Sequence, residues 1–302
     1  MSYWLAVAAM AAVGMQLSLQ APVNSRLGRT LGGLAASLVS ILVGALILLA
    51  LCLVTGEIAG LAEIPSAPAW ALTGGLFGAF FVAGSTLTVA RLGAGTIAAA
   101  IITGQLSSSL VIDGLGWFGL DRSPVTVGRI AGVLLIITGT FLVIRLRPGA
   151  GGHPEAGRRR VALVAVMVVS GALIGAQPPV NGELGEATGG LAAALVNFLV
   201  ASATVGLLVV VLGQGSRLPR VRSVPRRYLW GGPIGVVTVV ASLLLVGTIG
   251  ATVLAAAVVT GQLLGGIALD RFGVLGLSRR PLTRSRLAGV ALLLIGTVLT
   301  TV

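Results

Sequence analysis

Long apolar runs separated by short polar segments recur along the whole chain, and this alternation predicts a protein that crosses a membrane many times. Runs such as 34–54 match the length of about 20 helical residues that spans a hydrocarbon layer of roughly 30 Å. A lipid-facing backbone must satisfy its own hydrogen bonds, so we expect helices. The strand-like alternation that a membrane barrel needs is absent from the sequence.

The runs predict an all-α polytopic membrane protein with ten transmembrane helices, arranged as two five-helix units. We expect a first unit over residues 1–145, a linker over 146–160 that is rich in Gly, Pro and Arg, and a second unit over 161–302. The predicted helices cover 4–24, 34–54, 69–90, 94–113, 127–145, 161–181, 190–212, 229–248, 251–270 and 286–302.

The two units are copies of each other, because the sequence matches itself without a gap at an offset of 157 residues. The matches include Gly14 with Gly171, Gln20 with Gln177, Pro22 with Pro179, Asn24 with Asn181, Gln105 with Gln262 and Asp113 with Asp270. Since five is an odd number, the second copy must enter the membrane upside down. We therefore expect two inverted repeats.

The arginines test this topology independently of the repeat. All twenty basic residues are Arg, and when alternate loops are assigned to alternate sides, eighteen fall on one side and only Arg122 and Arg129 on the other. The positive-inside rule makes the arginine-rich side cytoplasmic and places both termini outside. Matched loops also carry opposite charge, since Arg26 and Arg29 align with Glu183 and Glu186.

Composition excludes a soluble domain and changes how the charge is interpreted. The chain of 302 residues is 56% hydrophobic and 9% charged, and it has a formal net charge of +12. In a membrane protein this excess reports topology, so we expect the lipid bilayer and a small-molecule solute as partners, and no nucleic acid. The two halves form a pseudo-dimer within one chain, which is compatible with a monomer.

Polar side chains within apolar spans are costly and mark candidate solute-binding positions. The candidates recur on equivalent helices of the two units: Gln16, Gln20, Asn24, Ser40, Gln105, Ser109, Gln177, Asn181, Asn197 and Gln262. One interpretation is a central cavity at the repeat interface, where proline-broken helices are typical of inverted-repeat carriers. The other is hydrogen bonding between helices, worth about 1 kcal/mol each. For Asn24 and Asn181, expected at helix ends, capping is a further alternative.

Asp113 and Asp270 are acids near the end of a predicted span in both copies. One hypothesis is that they bind a proton or cation and couple it to transport. The favoured alternative is an interfacial aspartate that caps a helix or pairs locally, as the neighbouring Arg271 suggests for Asp270.

Constellations for covalent chemistry are missing from the sequence. With one Cys and one His there is no nucleophile–base pair, no cluster of metal ligands and no phosphate-binding glycine loop before a Lys. We therefore expect no enzyme activity, no cofactor and no metal site.

Several short motifs resemble the YdcZ family, a branch of the drug/metabolite transporter superfamily. They are residues 20–24 (QAPVN), 103–106 (TGQL), 113–116 (DGLG) and 128–135 (GRIAGVLL), and the second half repeats them at 177–181, 260–263, 270–273 and 286–293. The resemblance covers nearly the whole chain and implies a bacterial inner-membrane carrier of the fused two-domain form. Two equivalences depart from symmetry: Leu173 matches Gln16, and Gly266 matches Ser109.

The combined pattern favours a secondary transporter that works by alternating access about a site between the repeats. The alternatives are a passive channel, a flippase for lipid-linked compounds and a membrane scaffold that transports nothing. Because the candidate stripes hold neutral amides and hydroxyls and no midplane Arg, a neutral or cationic solute is favoured over an anion.

Overall fold

The computed structural model describes residues 2–92, 94–144, 157–273 and 283–302, and within these ranges the regular structure is helical. Short 3-10 helices, Glu57–Ser66 and Ala69–Thr73 in the first half and Gly215–Ser223 and Arg226–Leu229 in the second, connect longer ones. The α-helices are α1 (Tyr3–Leu17), α2 (Gln20–Leu31), α3 (Gly33–Thr55), α4 (Gly74–Leu92), α5 (Ala94–Leu115), α6 (Val127–Ile144), α7 (Gly157–Thr188), α8 (Gly190–Val211), α9 (Gly231–Phe272) and α10 (Arg284–Leu299).

The first predicted helix, 4–24, is two helices in the structure. Pro22 has no N–H, so the carbonyl of Ser18 one turn earlier loses its helical partner. The hydroxyl of Ser18 turns back and donates to the carbonyl of Met15 at 2.6 Å. Ser18 and Leu19, between α1 and α2, nevertheless keep right-handed helical dihedral angles, so the two helices form one stretch, Tyr3–Leu31, with a local irregularity at Ser18.

The helical segment also runs further than predicted, to Leu31. Side chains spaced by four residues give α2 a buried face, formed by Val23, Leu27 and Leu31. The segment stops where Gly32 adopts a φ of 84°, and α7 stops in the same way before Gly189, at a φ of 88°. Positive φ is readily available only to glycine, so these two equivalent positions end their helices.

The helix α9 is a pair of helices joined at Gly250, where φ is 75° and ψ is 163°. Its first arm covers 231–249 and its second arm covers 251–272, close to the predicted helices 229–248 and 251–270. The corresponding membrane-length stretch, Arg226–Leu269, has 44 residues. A straight helix of that length would reach about 66 Å, more than twice the thickness of a hydrocarbon layer.

Within the described residues, seven helical stretches are long and apolar enough to cross a membrane, judged by length and composition. They include α3, α7 and the long stretch that contains both arms of α9, and α6 contributes a shorter apolar helix, Val127–Leu142. The helix α7 begins at Gly157, inside the predicted linker. Arginine is a good helix former, so residues 158–160 form the first turn of the apolar helix that follows.

The two halves exchange equivalent contacts across their interface. A Cβ atom on Gly14 in α1 would meet the carbonyl of Val258 in α9, and a Cβ on Gly171 in α7 would meet the carbonyl of Ile101 in α5. Each of these contacts becomes the other when 157 is added to one partner and subtracted from the other. The same exchange relates two further pairs, Gly104 with Val168 and Gly261 with Ala11.

Helices α6 and α10 correspond to each other in the repeat and pack together antiparallel. A Cβ on Gly132 would lie 2.6 Å from the carbonyl oxygen of Gly296, and a Cβ on Gly139 would lie 2.8 Å from that of Gly289. Residue numbers thus rise along one helix as they fall along the other. Glycine at each point lets the two backbones approach closely.

Candidate functional site

A polar network joins α2 and α3 to the start of α9. Gln20 Nε2 donates to the carbonyl of Gly231 at 3.0 Å, and Ser40 Oγ donates to Asn24 Oδ1 at 2.8 Å. A Cβ on Gly231 would meet the same Asn24 oxygen, so glycine is what lets the amide approach the helix start. The three predicted residues therefore link helices of opposite halves.

The equivalent network joins α7 and α8 to the start of α4. Gln177 Nε2 donates to the carbonyl of Gly74 at 2.8 Å and to Asn197 Oδ1 at 3.3 Å. Asn181 is 2% exposed, and its Oδ1 lies against Gly74 without a hydrogen-bond partner in the described part of the chain. The arrangement repeats that of Gln20, with Asn197 in place of Ser40.

Gln16 makes the contact that breaks this symmetry. Its Nε2 donates to the carbonyl of Ile234 at 3.2 Å and to Thr238 Oγ1 at 3.1 Å, which links α1 to the first arm of α9. In the other half the equivalent positions hold Leu173 and Phe81. One side of the duplicated interface is thus polar where the other is apolar.

Gln105 and Ser109 lie in the tight interface between α5 and α7. A Cβ on Gly175 would meet the Gln105 carbonyl and both neighbouring serine hydroxyls, and the Ser109 hydroxyl is fully buried without a hydrogen-bond partner among described residues. The backbone of Gln262 lies against Gly14 in the equivalent interface of α1 and α9. The predicted residues are therefore distributed over several helix interfaces.

Asp113 accepts hydrogen bonds from the start of the second arm of α9. Its two carboxylate oxygens accept hydrogen bonds from the backbone N–H groups of Ala251 and Thr252, at 2.7 and 2.9 Å, immediately after the break at Gly250. Its Oδ2 lies 3.9 Å from Arg129 Nη1. A carboxylate in this place satisfies free donors and offsets the positive end of the helix dipole. The side chain of Asp270 lies outside the described residues.

The expectation that Asn24 and Asn181 lie at helix ends is wrong. The buried face of α2 prolongs that helix to Leu31, and α7 continues to Thr188, so both asparagines lie within helices. Capping of their own helix is therefore not their role.

A cavity of about 280 Å³ opens between α7, the first arm of α9 and the link that follows α5. We call it the Glu183 vestibule. Phe118, Leu120 and Leu243 contribute apolar walls, and Glu183 and Glu186 contribute carboxylates. The polar candidates predicted from the spans do not line it.

Sequence reasoning missed Glu57 as well as the vestibule. Its Oε2 accepts a hydrogen bond from the backbone N–H of Leu191 at 2.8 Å, which satisfies a free donor at the start of α8. The signal was available in the repeat: Glu57 is equivalent to Gln214, whose side-chain oxygen lies close to Gly32. At both equivalent positions, 57 and 214, an acid or amide side chain contacts the positive-φ glycine of the other half, Gly189 or Gly32.

Comparison with known proteins decides the family. A family model described as "Putative inner membrane exporter, YdcZ" matches residues 5–142 and again residues 162–299. The chain belongs to the YdcZ family. The two matches are offset by 157 residues, the offset of the internal repeat, so the chain is a duplicated YdcZ unit and a polytopic helical membrane protein.

Relatives of this YdcZ chain agree with the duplication. The "Inner membrane protein YdcZ" of Escherichia coli strain K12 is 31% identical over 147 residues, which are 48% of this chain and 98% of that protein. A solved crystal structure, described only as that of a protein, superposes with a TM-score of 0.71 over 99% of this chain and 96% of that chain. At 18% identity, that likeness shows the fold alone.

Proposed function

We propose that this YdcZ chain is a secondary transporter that moves a small solute across the bacterial inner membrane by alternating access. The description of the matching family as an exporter supports the transporter class, and the E. coli relative supports the inner membrane. The site that we propose lies between the two halves, and transport without covalent chemistry needs neither an enzyme's catalytic residues nor a cofactor.

The observation that carries the proposal is the exchange of equivalent contacts between the halves. Antiparallel packing of the corresponding helices α6 and α10 supports a two-fold axis in the membrane plane, which relates inverted repeats. We therefore propose ten transmembrane helices in two inverted five-helix units, with both termini outside. Carriers of this kind work by rocking one repeat against the other around a fixed site.

The interfaces also suit a rocking motion. Gly14 and Gly171 lie at equivalent points where bare backbone meets bare backbone, so few side chains need to repack when one half tilts. Gly250 forms the tight turn between the eighth and ninth proposed spans, so these two spans can change their mutual angle there.

We place the solute beside the polar contact of Gln16 and Thr238, with the other predicted amides and hydroxyls positioning the helices around it. Gln16 has the apolar equivalent Leu173, so the repeat does not require an amide at this position for packing. Its amide is neutral, and a neutral or cationic solute remains our proposal. Asp113, bound to two N–H groups, is proposed as a structural cap.

A counterflow experiment tests the carrier mechanism. Purified protein is first screened by thermal shift against metabolites, and the compound that stabilises it most is loaded into proteoliposomes. For a carrier, unlabelled compound inside accelerates the uptake of labelled compound from outside. Downhill flux without acceleration indicates a channel, and absence of flux with a bound ligand indicates a scaffold; either result contradicts the proposal.

A further inference from the structure

The Glu183 vestibule combines negative charge with apolar walls in one cavity. Glu183 and Glu186 are three residues apart on α7, so both carboxylates lie on the same helical face. Within the described residues neither carboxylate has a hydrogen-bond or ion-pair partner, and no cationic side chain lines the cavity. The Glu183 carboxylate lies against the backbone of Gly119 in the cavity wall, and the Glu186 side chain is exposed.

The opposite walls are apolar. Phe118 and Leu120 come from the link after α5, and Leu243 and Val246 come from the first arm of α9. Pro179 adds a further apolar surface one turn before Glu183. A ligand that fits this cavity of about 280 Å³ presents a positive group to α7 and an apolar group to α9.

The equivalent positions in the first half carry the opposite charge. Glu183 and Glu186 correspond to Arg26 and Arg29, at the same offset of 157. Arg26 Nη1 donates to the hydroxyl of Tyr228 at 3.3 Å, and the Arg26 guanidinium lies 5.7 Å from the centre of the Tyr228 ring. The two halves thus carry opposite charges at equivalent positions. The five-helix unit therefore forms without an acid at these positions.

We propose that the Glu183 vestibule binds a small organic cation with an apolar substituent, as the outer site of the transport pathway. This inference rests on the proposed transporter function and narrows its solute class. Carboxylates at a partly desolvated mouth attract cations and repel anions, and the apolar walls select against fully hydrated inorganic ions. Glu183 and Glu186 hold the positive group, and Phe118, Leu243 and Val246 hold the apolar one.

Native tryptophans report on this cavity. Phe118 lies 5.3 Å from Trp70 and 6.2 Å from Trp117 between ring centroids, so a ligand that displaces Phe118 alters the fluorescence of both. Replacing Trp4 and Trp230 by Phe removes the other two tryptophans of the chain. The protein is then titrated in nanodiscs with three probes of similar size: benzyltrimethylammonium, its neutral isostere neopentylbenzene, and benzenesulfonate.

The variant E183Q/E186Q removes both charges and keeps the side-chain shapes. The matched control is Glu63→Gln, an exposed carboxylate in the 3-10 helix Glu57–Ser66. That helix lies at the same end of the molecule, since Gly60 packs against the Thr188 carbonyl. We expect benzyltrimethylammonium to bind on the order of tenfold more weakly to the double variant, and unchanged to the control.

The remaining results decide the proposal without reference to transport. We expect wild-type protein to prefer the cation over neopentylbenzene and to reject benzenesulfonate, with the preference reduced by added salt. Equal binding of the cation to wild type and double variant overturns the proposal, as does absence of any cation binding. A failed counterflow experiment with intact, charge-dependent cation binding would count against the carrier mechanism and leave the cation site in place.

Discussion

At the residue scale, Asp113 joins two elements that are distant in the sequence. It belongs to α5, yet its carboxylate holds the first N–H groups of the second arm of α9, with Arg129 nearby. The carboxylate thus accepts hydrogen bonds from free N–H groups at a helix start, which is the chemistry of a cap. The sequence could predict a cap or an ion pair, but not which helix start it would bind, because that partner lies 138 residues away.

The substitution Asp113→Asn should destabilise the protein by about 2 kcal/mol, because one of two charge-assisted acceptors is lost and Arg129 is left without its counterion. Thermal unfolding in detergent measures the effect, and the exposed Asp121→Asn is the control. As a structural cap, Asp113 should leave the pH dependence of uptake unchanged when it is replaced. A variant that folds but no longer responds to pH would restore the proton-coupling hypothesis.

Gln16→Leu installs the residue that the other half carries at the equivalent position. Thr238 keeps its own hydrogen bond to the carbonyl of Ile234 at 2.9 Å, so the change leaves no buried donor unpaired. We expect stability within about 0.6 kcal/mol of wild type and solute affinity lower by about three- to tenfold. Binding titrations with the thermal-shift hit measure this. The control is Met15→Leu, on the exposed side of α1. Unaltered solute affinity of Gln16→Leu would show that Gln16 only packs helices together.

The candidate residues themselves were predictable, whereas their partners were not. Polar side chains in apolar runs are rare enough to be found by inspection, and Gln20 and Gln177 do lie at equivalent places. Their acceptors are backbone carbonyls of Gly231 and Gly74, which carry no side chain that could signal the contact. Glu183 was used only as a topology signal, because it lies in a polar segment where acids are common.

At the element scale, the break in α9 depends on Gly250. A β-carbon there would lie 3.0 Å from Asp113 Oδ2, and the backbone has a φ of 75°, which side chains other than glycine rarely adopt. The positive φ and the nearby carboxylate both disfavour any residue with a side chain at position 250. The helix therefore bends at this residue and is held there by the carboxylate.

Gly250→Ala should lower the free energy of unfolding by about 2 kcal/mol and slow transport, because the strained backbone and the crowded carboxylate disturb the bend. Gly266→Ala is the matched control on the second arm, with helical backbone and open space around its Cα. Thermal unfolding and initial rates of uptake are measured for both. Equal behaviour of the two variants would contradict the role that we give to the bend.

Helix boundaries were predictable where glycine or a polar loop ended an apolar run, as for α3 and α8. The prediction failed at the first helix, because α2 is amphipathic. Its polar residues resemble a loop when read as a hydropathy profile, while its buried face of Val23, Leu27 and Leu31 emerges only at helical spacing. The structure adds a helix where hydropathy predicted a loop.

At the scale of the whole molecule, the proposed inversion requires equivalent loops to face opposite sides of the membrane. Ser66 and Ser223 are such a pair, 157 residues apart, and both are exposed near the end of equivalent 3-10 helices. Each hydroxyl donates to the carbonyl three residues earlier, at 2.7 and 2.8 Å. Their local surroundings are thus closely matched.

Single cysteines at these positions, introduced with the buried Cys52 changed to Ala, should react differently with a membrane-impermeant maleimide. We expect Ser66→Cys to be labelled in intact spheroplasts and Ser223→Cys only after permeabilisation, because the arginine-rich loop faces the cytoplasm. Labelling of both cysteines in intact cells, or of neither, would contradict the inverted arrangement.

The reversal of charge between Glu183 and Arg26 has a consequence for kinetics. A pair of identical five-helix chains would present the same residues at both ends of the passage, so half-saturation would be alike on the two faces. In a fused chain the residues at the two ends of the passage can differ. Solute gradients still determine the direction of net flow. The half-saturation concentration for cations should nevertheless be lower on the face that carries Glu183, so transport by this chain is kinetically asymmetric.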